Sequence, residues 1–172
     1  MIADLCFEDE VLHNICGEVY TEFIEKCFKY SAYFSVLTPP KQWYSKDILL
    51  KSIPTFLKLH PYLVNKKRIN HYPGTVNDGF DEEVGTFELN IYKCCEETKR
   101  IVLETCDELF SWTDGNPENL TFYYADKNIF INTIAHEGIC TISCSKEIFE
   151  EFKKYGMWYI VDQEGLLQEK FF

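Results

Sequence analysis

The stretch from Leu120 to Ser143 reads LTFYYADKNIFINTIAHEGICTIS and decides the fold class. Two runs rich in β-branched and aromatic residues, Leu120–Tyr124 and Asn128–Ile134, flank Ala125-Asp126-Lys127, which is the pattern of a β-hairpin. Gly138 then separates a third β-rich run, Ile139–Ser143. Three consecutive short strands predict an antiparallel meander.

Outward from the meander, the apolar periodicity predicts further strands and amphipathic helices. In residues 85–92, Phe87, Leu89 and Ile91 alternate with polar residues, which indicates a half-buried strand. Further strands are expected over 32–37 and within 62–72. Helices are expected over 18–31, 46–53 (after Ser45 as N-cap and stopped or kinked by Pro54), 96–112 and 146–155 (after Ser145 as N-cap).

The order of these elements is not the regular βαβα alternation of a parallel sheet. We therefore expect an α+β fold with an antiparallel, or mixed, sheet and amphipathic helices packed mainly on one face. At 172 residues the chain has the size of one domain, which buries roughly 70% of the surface of its unfolded chain. A single globular domain over residues 1–172 is predicted.

The charge is strongly acidic but unevenly distributed. Seventeen basic and 28 acidic side chains give a net charge of −11, which disfavours nucleic acid and anionic membranes as partners. The segment from Lys41 to Tyr72 is the exception, since it has seven basic residues and only Asp47 as an acidic one. The chain shows no signal peptide and no run of apolar residues that could span a bilayer, so we expect a cytoplasmic protein.

The eight cysteines do not form a metal-binding pattern. Cys140-x-x-x-Cys144, Cys94-Cys95 and His13-x-x-Cys16 are the close pairs, and none has the spacing of a zinc knuckle. Reduced and mostly buried thiols are expected in a cytoplasmic domain. No metal and no cofactor is predicted, because Walker, dinucleotide-binding and EF-hand motifs are also absent.

His136-Glu137 is the candidate catalytic pair, because a loop there can present an imidazole beside a carboxylate for proton transfer. A thiol such as that of Cys140 would be the nucleophile of a small hydrolase. The alternative is a turn histidine that is hydrogen-bonded to the backbone, with Glu137 merely solvated.

Two groups of residues are candidate binding residues. Trp112 and Asp114 lie where a loop begins, and binding groups concentrate in loops. Four acidic residues follow one another closely within a predicted loop: Asp78, Asp81, Glu82 and Glu83. The alternatives are a tryptophan that covers the edge of the core and an acidic run that is simply solvated.

Three segments resemble a pattern in small, uncharacterised bacterial proteins: Pro117–Tyr123, Ile129–Glu137 and Tyr72-Pro73-Gly74-Thr75. Some members of that group have sporulation-related labels, and others are similar to immunity proteins of polymorphic toxin systems. The resemblance covers about a third of the chain and implies no catalytic residues.

Three functions from different classes fit these observations. The first is a non-enzymatic, cytoplasmic protein-binding domain, such as an immunity-type inhibitor that an acidic surface steers onto a basic toxin or nuclease. The second is a small hydrolase or ligand-binding enzyme that uses His136 and Glu137. The third is an accessory protein of a larger bacterial assembly. We predict the first of these functions, with a second, basic protein as the partner.

Overall fold

The computed structural model describes residues 2–6, 15–39, 41, 44–75 and 87–161. The strands are β1 (Ile2–Cys6), β2 (Tyr33–Thr38), β3 (Leu63–Ile69), β4 (Phe87–Lys93), β5 (Glu118–Tyr123), β6 (Ile129–Ile134), β7 (Ile139–Ser143) and β8 (Met157–Val161). The helices are α1 (Gly17–Tyr30), α2 (Lys46–Leu49), α3 (Ile53–Leu59), α4 (Glu96–Thr105) and α5 (Lys146–Phe152). Short 3₁₀ turns cover Leu50–Ser52, His60–Tyr62, Leu109–Ser111, Ala135–Glu137 and Lys153–Tyr155.

The strands form one open sheet in the order β3-β4-β2-β5-β6-β7-β1-β8. Every pairing between these strands is antiparallel. The predicted α+β fold is therefore confirmed, and the sheet is antiparallel rather than mixed. The predicted meander is β5-β6-β7.

The helices pack on one face of the sheet, which we call the helix face. In α1 the buried residues Tyr20, Phe23, Ile24 and Cys27 follow the 3.6-residue period, and they join the main hydrophobic core. Buried residues of α3, α4 and α5 belong to the same core: Leu59, Ile101, Val102 and Phe152. The predicted arrangement of the helices on one face is thus confirmed.

The opposite face of the sheet, which we call the second face, carries a smaller core. Residues that alternate with those of the helix face form it: Leu37, Ile69, Tyr72, Phe87, Leu89, Ile91 and Ile134. Polar side chains on this face are paired with one another. Ser35 Oγ lies 2.9 Å from the hydroxyl of Tyr123, and Thr121 donates to Asn132 Oδ1 at 2.9 Å.

One predicted helix is too long. The apolar periodicity predicts a helix to Trp112, but α4 ends at Thr105 and Cys106 is extended, with φ −138°. Backbone pairing with the start of α1 explains the difference, since Gly17 N donates to Asp107 O at 2.8 Å and Leu109 N donates to Ile15 O at 3.0 Å. These long-range hydrogen bonds replace those of a continued helix.

The region around Pro54 also differs from the prediction. Pro54 does not stop a helix but lies in the first turn of α3, where its missing N–H needs no helical partner. The helix preceding it is already interrupted by the 3₁₀ turn at Leu50–Ser52. α2 begins after Ser45 as expected, but the side chain of Ser45 makes no capping hydrogen bond. Ser145 does cap α5, through its Oγ, which accepts from Ile148 N.

The seven cysteines whose side chains are described form no disulfide bond with one another. Four of them are buried, namely Cys27, Cys106, Cys140 and Cys144, as the sequence predicted for most of the thiols. Burial raises the pKa of Cys106 to about 12 and that of Cys144 to about 11, so both remain protonated at neutral pH. Within the described residues, no helix is long and apolar enough to cross a membrane.

Candidate functional site

Glu118 is a buried acidic residue at the beginning of β5. It pairs with Leu37 of β2 after a shift of register, and the next residue, Asn119, has a positive φ of 55°. Asn119 is held there by two hydrogen bonds: its N–H donates to Trp112 O, and its Oδ1 accepts from Ala135 N at 2.9 Å. Because this irregularity changes the alternation of the strand, Leu120 belongs to the main core while Glu118 lies beside Leu37 of the second face.

Within the described part of the chain, the carboxyl group of Glu118 is incompletely paired. Its residue is 2% exposed, and Oε1 has no hydrogen-bond partner among the described residues. Burial raises the pKa of Glu118; a hydrogen bond from the hydroxyl of Tyr44 opposes this shift, and the charge of Asp114 adds to it. A buried carboxylate is costly unless a cation or further donors satisfy it. Glu118 can therefore either hold a proton or bind a cationic group.

Tyr72 is an aromatic residue of the second face on which the charge of Glu118 acts. Burial raises the pKa of Tyr72, and the negative charges of Glu118 and Glu137 raise it further, so both carboxylates act on this hydroxyl. The ring of Tyr72 packs on that of Phe87, with 4.9 Å between centroids, and on that of His136, with 5.6 Å.

A tight turn after β3 positions Tyr72. Its carbonyl oxygen accepts from Thr75 N at 3.1 Å and from Thr75 Oγ1 at 2.8 Å. Gly74 has φ +81° and lies against Asn132, whose Nδ2 would be 2.9 Å from a Cβ atom at this position. Only glycine fits this approach without a shift of Asn132.

His136 and Glu137 lie at the exposed rim, in the 3₁₀ turn between β6 and β7. Their side chains are 40% and 47% exposed, and His136 Nε2 is 3.6 Å from Glu137 Oε1. Cys140, in contrast, is fully buried in the main core on the helix face. The structure therefore does not bring the thiol of Cys140 to the imidazole of His136, which packs on Tyr72 of the second face.

Asp114 is close to Glu118, whereas Trp112 is a core residue. Asp114 is exposed, has φ 53°, and begins a turn whose Gly115 lies against Ile48 of α2. Trp112 is fully buried, and its Nε1 donates to the hydroxyl of Tyr20 at 3.0 Å. Trp112 is therefore a residue of the core, as the alternative interpretation predicted, and not a binding residue in a loop. The acidic run Asp78, Asp81, Glu82 and Glu83 lies outside the described residues.

We call six residues from four separate segments the Glu118 site: Tyr44, Tyr72, Asp114, Glu118, His136 and Glu137. The three segments that carry the resemblance to small bacterial proteins all contribute here. Tyr72 and Gly74 belong to the segment 72–75, and Glu118 belongs to 117–123. Asn132, His136 and Glu137 belong to 129–137. Of the predicted residues, Asp114 acts on Glu118 through its charge, whereas His136 and Glu137 are linked to Glu118 through Tyr72.

Comparison with protein-family models, curated proteins and solved structures found no match. The resemblance of the three segments therefore stays a prediction. No cluster of three or more histidine, cysteine, aspartate or glutamate side chains that could hold a metal ion occurs within the described part of the chain.

Proposed function

We propose that this protein is a non-enzymatic protein-binding domain that accepts a cationic side chain of a partner protein at the Glu118 site. One observation carries the proposal: the carboxyl group of Glu118 is 2% exposed, and one of its oxygen atoms has no hydrogen-bond partner among the residues that the structure describes. An arginine or lysine side chain supplies the missing donors and the opposite charge in one step. Charge-assisted hydrogen bonds of this kind are about twice as strong as neutral ones.

Further negative charge at the rim favours the same class of ligand. Asp114 is exposed and raises the pKa of Glu118 by its charge, and Glu137 acts on Tyr72 in the same way. Together with the net charge of −11, these carboxylates attract cations and speed their association.

Tyr44 controls access in this proposal. Its half-buried side chain donates to Glu118 and lies 3.5 Å from Thr113 Oγ1, measured from the hydroxyl. A cation reaches the carboxyl group of Glu118 when the side chain of Tyr44 moves aside. The hydroxyl of Tyr44 then loses its hydrogen bond to Glu118 and can keep the one to Thr113. A partner protein with a protruding arginine fits this requirement better than a rigid ligand.

The partner in this proposal is a basic protein. An immunity-type inhibitor of a basic toxin or nuclease belongs to this class, in line with the resemblance of the three segments at the site. The hydrolase alternative has less support, because Cys140 and His136 lie on different sides of the sheet.

The test uses blocked amino acids as probes of the site. N-acetyl-arginine amide is titrated into the full chain, and ¹H–¹⁵N spectra report which backbone amides respond; N-acetyl-glutamine amide is the uncharged comparison. We expect shifts at Tyr44, Tyr72, Glu118 and His136 with the arginine probe only. Glu118→Gln should abolish them, whereas Glu18→Gln, which removes one exposed carboxylate from α1, should leave them unchanged.

The same variants test the protein partner. Immobilised wild-type protein should retain a basic protein from cytosol at low salt, and retention should fall as salt rises because exposed charges are screened. Retention by Glu118→Gln equal to that by Glu18→Gln, or an arginine response that is absent in the wild type, would refute the proposal.

A further inference from the structure

β3 is an edge strand that projects beyond the core. It is the last strand at one end of the sheet, and it pairs with β4 alone among the described strands. Five consecutive residues, 64–68, are exposed, although side chains of a strand alternate between its two faces. Within the described residues, both faces of this part of the sheet are therefore open to solvent.

No described strand pairs with the outer backbone edge of β3. The N–H of Lys66 donates to Asn65 Oδ1 at 2.8 Å, through an exposed hydrogen bond within the strand. This amide therefore lies on the open edge. Because antiparallel pairing alternates along a strand, the N–H of Arg68 is expected on the same edge. An exposed row of this kind is a template for another strand.

The open edge is basic in a molecule whose net charge is negative. Lys66, Lys67 and Arg68 follow one another, and Glu88 of β4 is a carboxylate that Lys66 and Arg68 share. Lys66 Nζ lies 2.8 Å from Glu88 Oε1, and Arg68 acts on Glu88 through its charge. Lys67 follows Lys66 along the strand, so its side chain points to the other face of the sheet and away from Glu88. Among the described residues, three cations against one carboxylate give this edge an excess of positive charge.

We propose that the open edge of β3 binds an extended, acidic segment of another protein, which adds a strand to the sheet. Backbone hydrogen bonds supply the affinity in this mode of recognition, and side chains at alternate positions supply the specificity. Acidic residues on one face of the added strand meet Lys66 and Arg68, and acidic residues on the other meet Lys67. This surface is separate from the Glu118 site and takes a partner of opposite charge.

Two other occupants fit less well. A second copy of this chain paired through β3 would set lysine and arginine residues opposite one another, and like charges across a strand pair are unfavourable. A nucleic acid would meet the repulsion of a chain with a net charge of −11, against which three neighbouring cations are a small attraction.

The test measures binding of a fluorescent peptide with four Val-Glu repeats to the full chain, with four Val-Gln repeats as the uncharged comparison. We expect the acidic peptide to bind, and its affinity to fall with added salt. Hydrogen exchange should slow at the amides of Lys66 and Arg68 when the peptide is bound.

Substitutions at Lys66 separate the backbone contribution from the charge. Lys66→Pro removes the N–H on the open edge without removing a hydrogen bond to β4. We expect it to weaken binding about tenfold relative to wild type, beyond the smaller loss in Lys66→Gln. Lys67→Glu should also weaken binding and does not depend on tolerance of proline. Lys46→Gln, an exposed charge in α2, is the matched control and should bind normally.

Three results would overturn the proposal: the wild type fails to bind the acidic peptide, Lys66→Pro and Lys66→Gln bind it with equal affinity, or the peptide slows hydrogen exchange only at amides outside β3. Tighter binding of a single-stranded oligonucleotide than of the peptide would assign the edge to nucleic acid instead. If the cations serve only to keep β3 from pairing with other copies, the peptide does not bind and the lysine variants self-associate.

Discussion

Replacing Tyr20 by phenylalanine tests the hydrogen bond that joins α1 to the segment after α4. The hydroxyl of Tyr20 accepts from Trp112 Nε1 at 3.0 Å, and both side chains are almost completely buried. Burial raises the pKa of Tyr20, so its hydroxyl stays neutral. In Tyr20→Phe the indole N–H loses its partner in the core, which costs about 1–3 kcal/mol of unfolding free energy.

The corresponding change in melting temperature follows from the size of the chain. With an unfolding entropy of about 2.1 cal/mol/K per residue, 172 residues give about 0.36 kcal/mol/K. Tyr20→Phe should therefore lower Tm by about 3–8 °C in thermal unfolding followed by circular dichroism. Tyr62→Phe is the control, because the half-buried Tyr62 makes no hydrogen bond through its hydroxyl within the described residues. Equal Tm values for the wild type and Tyr20→Phe would contradict this account of the core.

Three further substitutions have distinct expected results. Burial raises the pKa of Glu118 on folding, so the wild type loses stability as pH rises through that raised pKa. Glu118→Gln should therefore be more stable than the wild type at neutral pH and no more stable at low pH. Urea unfolding at a series of pH values measures this difference. Hydrogen bonds from Tyr30, Lys29 and Lys26 lower the pKa of Glu151 to about 2. The contribution of Glu151 to stability is therefore present above the ordinary carboxyl pKa and is lost as pH falls toward 2. Glu151→Gln should lower Tm at neutral pH and make Tm depend less on pH in the acid range. Gly74→Ala should cost about 1–2 kcal/mol for the left-handed backbone alone, and should weaken the response to the arginine probe because Asn132 must shift; an unchanged urea midpoint and an unchanged response would contradict the role given to this turn.

Strong periodicity made most of the elements predictable. The meander β5-β6-β7, the strand β4 and the amphipathic helix α1 all follow from residues that alternate or repeat within a short window. Ser145 caps α5 because its hydroxyl needs only an amide three residues later. In each case the interaction that decides the structure is local in sequence.

The elements that depend on distant partners were not predicted. α4 ends early because the backbone at Asp107 and Leu109 pairs with residues near the start of α1. β1 and β8 were not expected at all, although each forms a regular antiparallel pair. No pattern within a short window reports a hydrogen bond to residues a hundred positions away.

The site was predicted only in part, for a similar reason. His136, Glu137 and Asp114 lie in turns, where binding residues are commonly sought. In the structure the charge of Asp114 acts on Glu118, while His136 packs on Tyr72 and the charge of Glu137 acts on Tyr72. Glu118 itself lies in a strand in which all six residues are buried, and in the sequence it resembles any acidic residue beside a turn. The signal that was present is Pro117-Glu118-Asn119, because asparagine tolerates the left-handed backbone that changes the alternation of β5.

The order of the sheet determines when it can be completed during synthesis. β1 is made first, yet its two neighbours are β7 and β8, which are made last. The five strands β2 to β6 are therefore synthesised before either partner of β1, and the β2-β4-β3 and β5-β6 pairings can form first. Since contacts between distant residues form slowly, closure of this end of the sheet is expected to be the late step of folding. A chain that stops before Met157 would leave β1 as a new open edge, prone to pairing with other molecules.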